Sequence, residues 1–193
     1  MKKILIIGSG GHAKSCAEVI EKCKDYKLVG FVTKNKKFNK NVKILDYPVV
    51  ASDKELAKLS NKFKYAIVGI GQIKNFENKN KIFKNLKKLN FKLPTIISPN
   101  AIVSKFSYFG SGCIVMQHAI VNADTEIGNN CIINNKALIE HDVKIGHNSH
   151  ISTGAIINGS VEIGENCFIG SNSTLREGIK IGKNTVISAG MFV

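Results

Sequence analysis

Residues 127 to 146 read Ile127-Gly128-Asn129-Asn130-Cys131-Ile132-Ile133-Asn134-Asn135-Lys136-Ala137-Leu138-Ile139-Glu140-His141-Asp142-Val143-Lys144-Ile145-Gly146. An apolar residue stands at every sixth place, and a small or modest one follows four places later. Extended both ways, the register runs from Ile97 and Val103 through Ile133, Ile139 and Ile151 to Ile187 and Val193, and all seventeen positions are apolar. A short fixed period of this kind is the signature of a parallel β-helix, in which each short strand buries one inward side chain and stacks on the strand of the next coil. Three hexads make one triangular coil of 18 residues, so 97–193 predict a little over five coils, spaced by about 4.8 Å.

Positions 18 apart lie above one another in such a coil. Cys113, Cys131, Ser149 and Cys167 then share one column, which accounts for three cysteines as small packing residues. The same arithmetic sets Gly159 one coil above His141.

Residues 1–96 have a different character and read as a small α/β unit. Lys2–Ile7 reads as a buried strand, followed by Gly8-Ser9-Gly10-Gly11-His12 and an amphipathic helix to about Cys23. Strands are expected at Leu28–Val32 and Tyr65–Ile70, and a lysine-faced helix at Asn75–Leu89. Strands alternating with helices predict a Rossmann-like parallel sheet with its ligand crevice at the strands' carboxyl ends. Gly8, Gly10 and Ala13 match a dinucleotide fingerprint only weakly: Thr33 and Lys34 stand where its acidic residue belongs, and about 95 residues leave no room for two mononucleotide halves. What remains is a glycine turn opening a helix, whose backbone amides suit a phosphate.

Composition bounds the function. A chain that is 44% hydrophobic and 22% charged is globular rather than disordered. The leading Ile4-Leu5-Ile6-Ile7 is shorter than the roughly 7 to 15 apolar residues of an export signal, and no stretch approaches the roughly 18 of a membrane span. Five cysteines without a C-x-x-C pair suit a reducing, cytoplasmic setting. The net charge of +14 is lopsided, with +15 in residues 1–96 and −1 in 97–193. It is carried by scattered lysines and a single arginine, Arg176. That pattern describes a solvated surface rather than a nucleic-acid interface.

Of the five histidines, His141 stands out, because it follows the inward Ile139 and has Glu140 and Asp142 on either side. A flanking carboxylate holds an imidazole's tautomer and raises its basicity, as a general base requires. With a bare Gly159 amide one coil above, the pair supplies the minimum for acyl transfer: one group takes the nucleophile's proton and the other stabilises the oxyanion. The spacing of His141, His147 and His150 does not make a metal site.

The Ile6-Ile7-Gly8-Ser9-Gly10-Gly11-His12 turn, Val68-Gly69-Ile70-Gly71, Ile139-Glu140-His141 and the hexapeptide half together resemble the NeuD/PglD family of bacterial sugar acyltransferases across nearly the whole chain. The resemblance implies a left-handed β-helix at 97–193 as the acyltransferase domain, a sugar- or nucleotide-binding domain at 1–96, acetyl-CoA as co-substrate without a metal, and a cytoplasmic homotrimer. It implies His141 as catalytic base and Asp142 as its supporting acid. Gly10, Gly11, His12 and Gly71 would hold the sugar substrate, while His150, Gly159, Ser171 and Ala189 would serve the cofactor. The implied reaction is N-acetylation of the 4-amino group of a UDP-linked amino-sugar in glycan biosynthesis. Thr33 and Lys34 replace the paired acids common in such enzymes, which keeps O-acetylation of a sialic-acid-like sugar open. Family members continue past the position of Val193, which keeps open a non-catalytic trimeric binding or scaffold protein.

Overall fold

A computed structural model describes residues 1–34, 39, 41–73 and 76–193. The chain divides into two compact units, Met1–Gly71 with Glu77–Pro94, and Gln72–Phe76 with Thr95–Val193.

The first unit is a five-stranded sheet. Its elements are β1 (Lys2–Ile7), α1 (Gly11–Lys22), β2 (Tyr26–Thr33), β3 (Lys43–Ile44), β4 (Tyr47–Ser52), α2 (Leu56–Ser60), β5 (Tyr65–Val68) and α3 (Glu77–Lys88). The order is β3-β4-β2-β1-β5, parallel throughout except for the β3–β4 hairpin. Ile4 to Ile7 at the sheet's centre are buried, as a strand flanked on both faces requires. The expected strands and both helices are present with ends shifted by a few residues; Asn75, where α3 was expected to begin, lies outside the described residues. The hairpin and α2 are additions that the sequence pattern did not announce. The chain runs outward from β1 to β2 and β4, then returns to β1's other side as β5. The reversal between β1 and β5 opens a crevice beyond their carboxyl ends, the usual ligand position in such sheets.

The second unit is the left-handed parallel β-helix. Two-residue strands stack into three ladders of six, five and five strands. The first face begins with Ile96–Ile97 and ends with Val186–Ile187. The second runs from Ile102–Val103 to Thr174–Leu175, and the third from Tyr108–Phe109 to Lys180–Ile181. Partners are 18 residues apart throughout, as in Ile132 with His150 and Leu138 with Ile156. The hexad positions Val115, Val121, Ile133, Ile139, Ile151, Ile157, Ile169 and Leu175 are buried to 1% exposure or less and form one continuous core with Cys113, Cys131 and Cys167. Each buried branched side chain contributes about 2 kcal/mol relative to leaving it in water.

A second period fixes the corners. Residues 112, 118, 124 and onward by sixes to 190 all have φ between +55° and +72°, and eleven of these fourteen are Asn, Asp or Gly. Those are the residues that tolerate the left-handed conformation. The corner columns follow: Gln117, Asn135, Thr153, Ser171 and Ala189 between the first and second faces; Ala123, His141, Gly159 and Glu177 between the second and third; and Asn129, His147, Glu165 and Lys183 between the third and first.

The faces differ outwardly. The third presents Tyr108, Glu126, Lys144, Glu162 and Lys180, an alternating ladder in which Lys180 Nζ lies 3.0 Å from Glu162 Oε1. An open groove of about 680 Å³ runs along it. The second face presents Ile102, Ile120, Leu138, Ile156 and Thr174, with Ile102 67% and Ile156 37% exposed. Among the described residues no helix is long and apolar enough to cross a membrane.

Candidate active site

His141 and His147 occupy equivalent places on successive corners, and their hydrogen bonds separate them. His147 Nδ1 accepts the Asn129 N–H from the coil below at 2.8 Å, so its ring is spent on the stack. His141 Nδ1 instead lies 2.7 Å from Asp142 Oδ2. Asp142 takes the left-handed corner conformation, with φ of +59°, and its carboxylate meets the preceding imidazole. With Nδ1–H donating to that carboxylate, Nε2 carries the lone pair, and among the described residues it has no protein partner. The bond to Asp142 raises the His141 pKa above 6.5; desolvation works against it, and the charges of Asp142, Glu140 and Glu177 add to the rise. The pair is more than half exposed, open to a substrate.

Gly159 completes this corner. A Cβ there would fall 2.8 Å from His141 Cε1 and 3.0 Å from Nε2, so only glycine lets the ring lie against the next coil. The Gly159 carbonyl accepts the Gly178 N–H, whereas its own N–H has no acceptor among the described residues. A free imidazole nitrogen thus stands beside a free amide donor. We expect Gly159→Ala to leave the melting temperature nearly unchanged, because the displaced group is an exposed side chain. Turnover should fall about a hundredfold, as for a 1 Å misplacement of a reacting group; circular dichroism melting and kcat measured together check both halves.

The other expected cofactor residues do not join His141 in a single chain. Ser171 and Ala189 stack on the corner between the first and second faces, with Ser171 Oγ 2.9 Å from Ser152 Oγ and the Ser171 carbonyl accepting the Gly190 N–H. His150 lies on the first face, 6% exposed. His141's corner is opposite that face of the triangle, so His150 and Gly159 stand on different sides of the prism. His150 Nδ1–H donates to the Gln72 carbonyl at 2.7 Å, and Asn134 Nδ2 lies 3.3 Å from Nε2. Gln72 was missed by sequence reasoning, since it belongs to no repeat.

In the first unit the crevice collects Gly10, Gly11, His12 and Gly71. Nothing lies within 4 Å of a Cβ built at Gly10 or Gly11, while one at Gly71 would fall 3.4 Å from His12 Cβ. Gly8 has another role: with φ of +132°, it passes so near the Gly69 carbonyl that a Cβ would fall 2.7 Å from that oxygen. Helix α1 begins here with Gly10 as N-cap, no side-chain cap and no acid in its first turn, leaving its amides to an anion. Ser9 and Thr33 hydroxyls meet at 2.7 Å, tying the turn to the end of β2. No group of three or more metal-ligating side chains occurs among the described residues.

A β-helix of hexads with an acid-supported histidine beside an unpaired amide defines a hexapeptide acyltransferase. Residues 3–86 match the PglD N-terminal domain, 124–159 the bacterial transferase hexapeptide (six repeats), and 160–193 the hexapeptide repeat of succinyl-transferase. PerB from Caulobacter crescentus, solved in complex with CoA and GDP-perosamine, is 30% identical with a TM-score of 0.91, over 100% of this chain and 89% of that one. The acetyltransferase domain of PglB from Neisseria gonorrhoeae, solved in complex with acetyl coenzyme A, is 29% identical with a TM-score of 0.89, over 100% and 92%. WeeI from Acinetobacter baumannii, at 18% identity and a TM-score of 0.76 over 100% and 96%, shares the fold. No curated protein matches by sequence. The chain belongs to the NeuD/PglD family of sugar acetyltransferases.

Proposed function

We propose that the protein transfers the acetyl group of acetyl-CoA to the 4-amino group of a nucleotide-linked amino-sugar in bacterial glycan biosynthesis. The observation that carries this reading is the open His141 Nε2 beside the unpaired Gly159 N–H. The amine attacks the thioester carbonyl, and Nε2 accepts its proton. Asp142 steadies the imidazolium, and the Gly159 amide donates to the oxyanion. As the tetrahedral intermediate collapses the C–S bond breaks, and the proton held on His141 leaves with the coenzyme A thiol. His12 and the glycine crevice of the first unit bind the nucleotide-sugar, with the diphosphate on the amides of α1.

Charge favours an amine over a hydroxyl acceptor. Glu140, Asp142 and Glu177 all act on His141, and this negative surround draws in the ammonium form of an amino-sugar before it is deprotonated. O-acetylation of a sialic-acid-like sugar is the second reading, supported by Thr33, whose hydroxyl is bonded to Ser9 where an acid was expected. Release of coenzyme A thiol, compared between 4-amino and 4-hydroxy forms of the same sugar, separates them. UDP and GDP carriers belong in that comparison, since PerB was solved with GDP-perosamine. Release with the amino form alone is expected; release with the hydroxy form alone would replace the proposal.

The site is complete only between copies. In a threefold assembly that buries the apolar second face on its axis, the corner of His141 and Gly159 on one copy meets the corner of Ser171 and Ala189 on the next. A homotrimer would thus form a CoA groove that neither copy holds alone.

The His141 pKa sets a pH dependence. Only the neutral imidazole accepts a proton, so kcat/KM should fall on the acid side through a pKa above the ordinary 6.5. Asp142→Asn removes the largest cause of the rise. Its acid limb should move down in pH, while the plateau drops by about a hundredfold, at the low end of what general-base catalysis supplies. A limb that stays in place would show that another group titrates.

A further inference from the structure

Among the described residues, the side chain of Gln72 is the one with both of its polar atoms buried and unpartnered. The residue is 2% exposed, yet among the described residues neither its Oε1 nor its Nε2 has a hydrogen-bond partner. Buried carboxamides are almost always paired, and an orphan asks for a missing partner. His150, which meets this residue, is committed elsewhere: the Gln72 backbone carbonyl takes its Nδ1–H, and Asn134 lies at its Nε2. With contacts at both nitrogens and the ring edge-on to Phe168 at 5.2 Å between centroids, the His150 imidazole is fixed in place. It can hold Gln72 in place but cannot satisfy its amide. Asn134 is the residue just before Asn135 in the first corner column, the one that carries Ser171 and Ala189.

We infer that the Gln72 carboxamide is a substrate-binding group that pairs with a secondary amide of a bound substrate. A carboxamide offers one acceptor and one donor side by side, and the complement is a group that offers N–H and C=O together. Two substrates of the acetyl transfer supply it, and the inference rests on that reaction: the pantetheine arm of acetyl-CoA, and an acylamino substituent on the acceptor sugar. The orphaned amide is then a stability cost held in the free protein and relieved on binding.

Gln72→Met tests this, because it keeps the volume and removes the polar atoms while the backbone bond to His150 stays. The ligand-free variant should melt at or above the wild-type temperature. Binding to one substrate should weaken about tenfold, equivalent to about 1.4 kcal/mol. Calorimetry with acetyl-CoA reads the pantetheine source, and KM for a UDP-linked 2-acetamido-4-amino-sugar reads the acylamino source. Should Gln72→Met fail to fold, Gln72→Glu keeps the acceptor and loses the donor, and should weaken the same ligand. Unchanged affinity for both ligands would overturn the inference and leave Gln72 paired only with buried water. The calorimetric arm needs no turnover, so a wild type that binds acetyl-CoA but acetylates no sugar would sink the proposed function and not this one.

Discussion

His141→Ala should lower kcat by about a thousandfold, within the range supplied by a positioned general base. The side chain is 58% exposed and lies outside the buried core, so folding and acetyl-CoA affinity should stay near wild type. The reason lies in the corner's hydrogen bonds. Nδ1 is held by Asp142 and Nε2 is left open, and no other described imidazole stands there to take the proton. His147 is bonded into the stack through Nδ1, and His150 is buried on a face opposite that corner. Near-normal turnover by His141→Ala, measured as coenzyme A thiol release under saturating substrates, would remove the base from the account.

Charging the second face should be nearly as damaging without touching the site. Leu138 and Ile156 are adjacent rungs of the outward apolar row and form no part of the core, which is built from the alternate residues Ile139 and Ile157. Leu138→Glu combined with Ile156→Glu should therefore keep the β-helix by circular dichroism. The mass by light scattering should drop to that of a single chain, and activity should fall more than a hundredfold, because displacing catalytic groups by even 1 Å costs about that much. Full activity in a monomeric variant would contradict a site shared between copies.

The β-helix was legible because its physics is periodic. Each hexad repeats one inward branched residue, one small residue and one left-handed corner, so errors in a single coil do not obscure the pattern. The column at Cys113, Cys131 and Cys167 and the meeting of His141 with Gly159 followed from counting by 18. The parallel sheet was legible in its buried strands and missed at its margin. The β3–β4 hairpin spans Lys43–Ser52, where Pro48 interrupts an otherwise apolar run and weakens any strand signal.

The corner of His141 and Gly159 was legible because it lies on the repeat, and the crevice of Gly10, Gly11, His12 and Gly71 because glycines mark the strand ends there. Both His141 and His147 follow an inward isoleucine by two places, and the acids beside His141 set it apart in the sequence; that the His147 ring turns to the Asn129 amide of the coil below is visible only in the stack. The pairing of His150 with Gly159 was inferred from family likeness, and the triangular section separates them in one chain. Gln72 follows Gly71 in a non-repeating segment, and its contact with His150 spans 78 positions. No local signal could have exposed it.

The most direct test mixes the protein with acetyl-CoA radiolabelled in the acetyl group and a nucleotide-linked 4-amino-sugar, and follows the label. It should appear as an amide on the sugar in wild type and be lost in His141→Ala. A wild-type protein that binds acetyl-CoA yet leaves the label on the thioester, with amino and hydroxyl acceptors alike, would contradict the account.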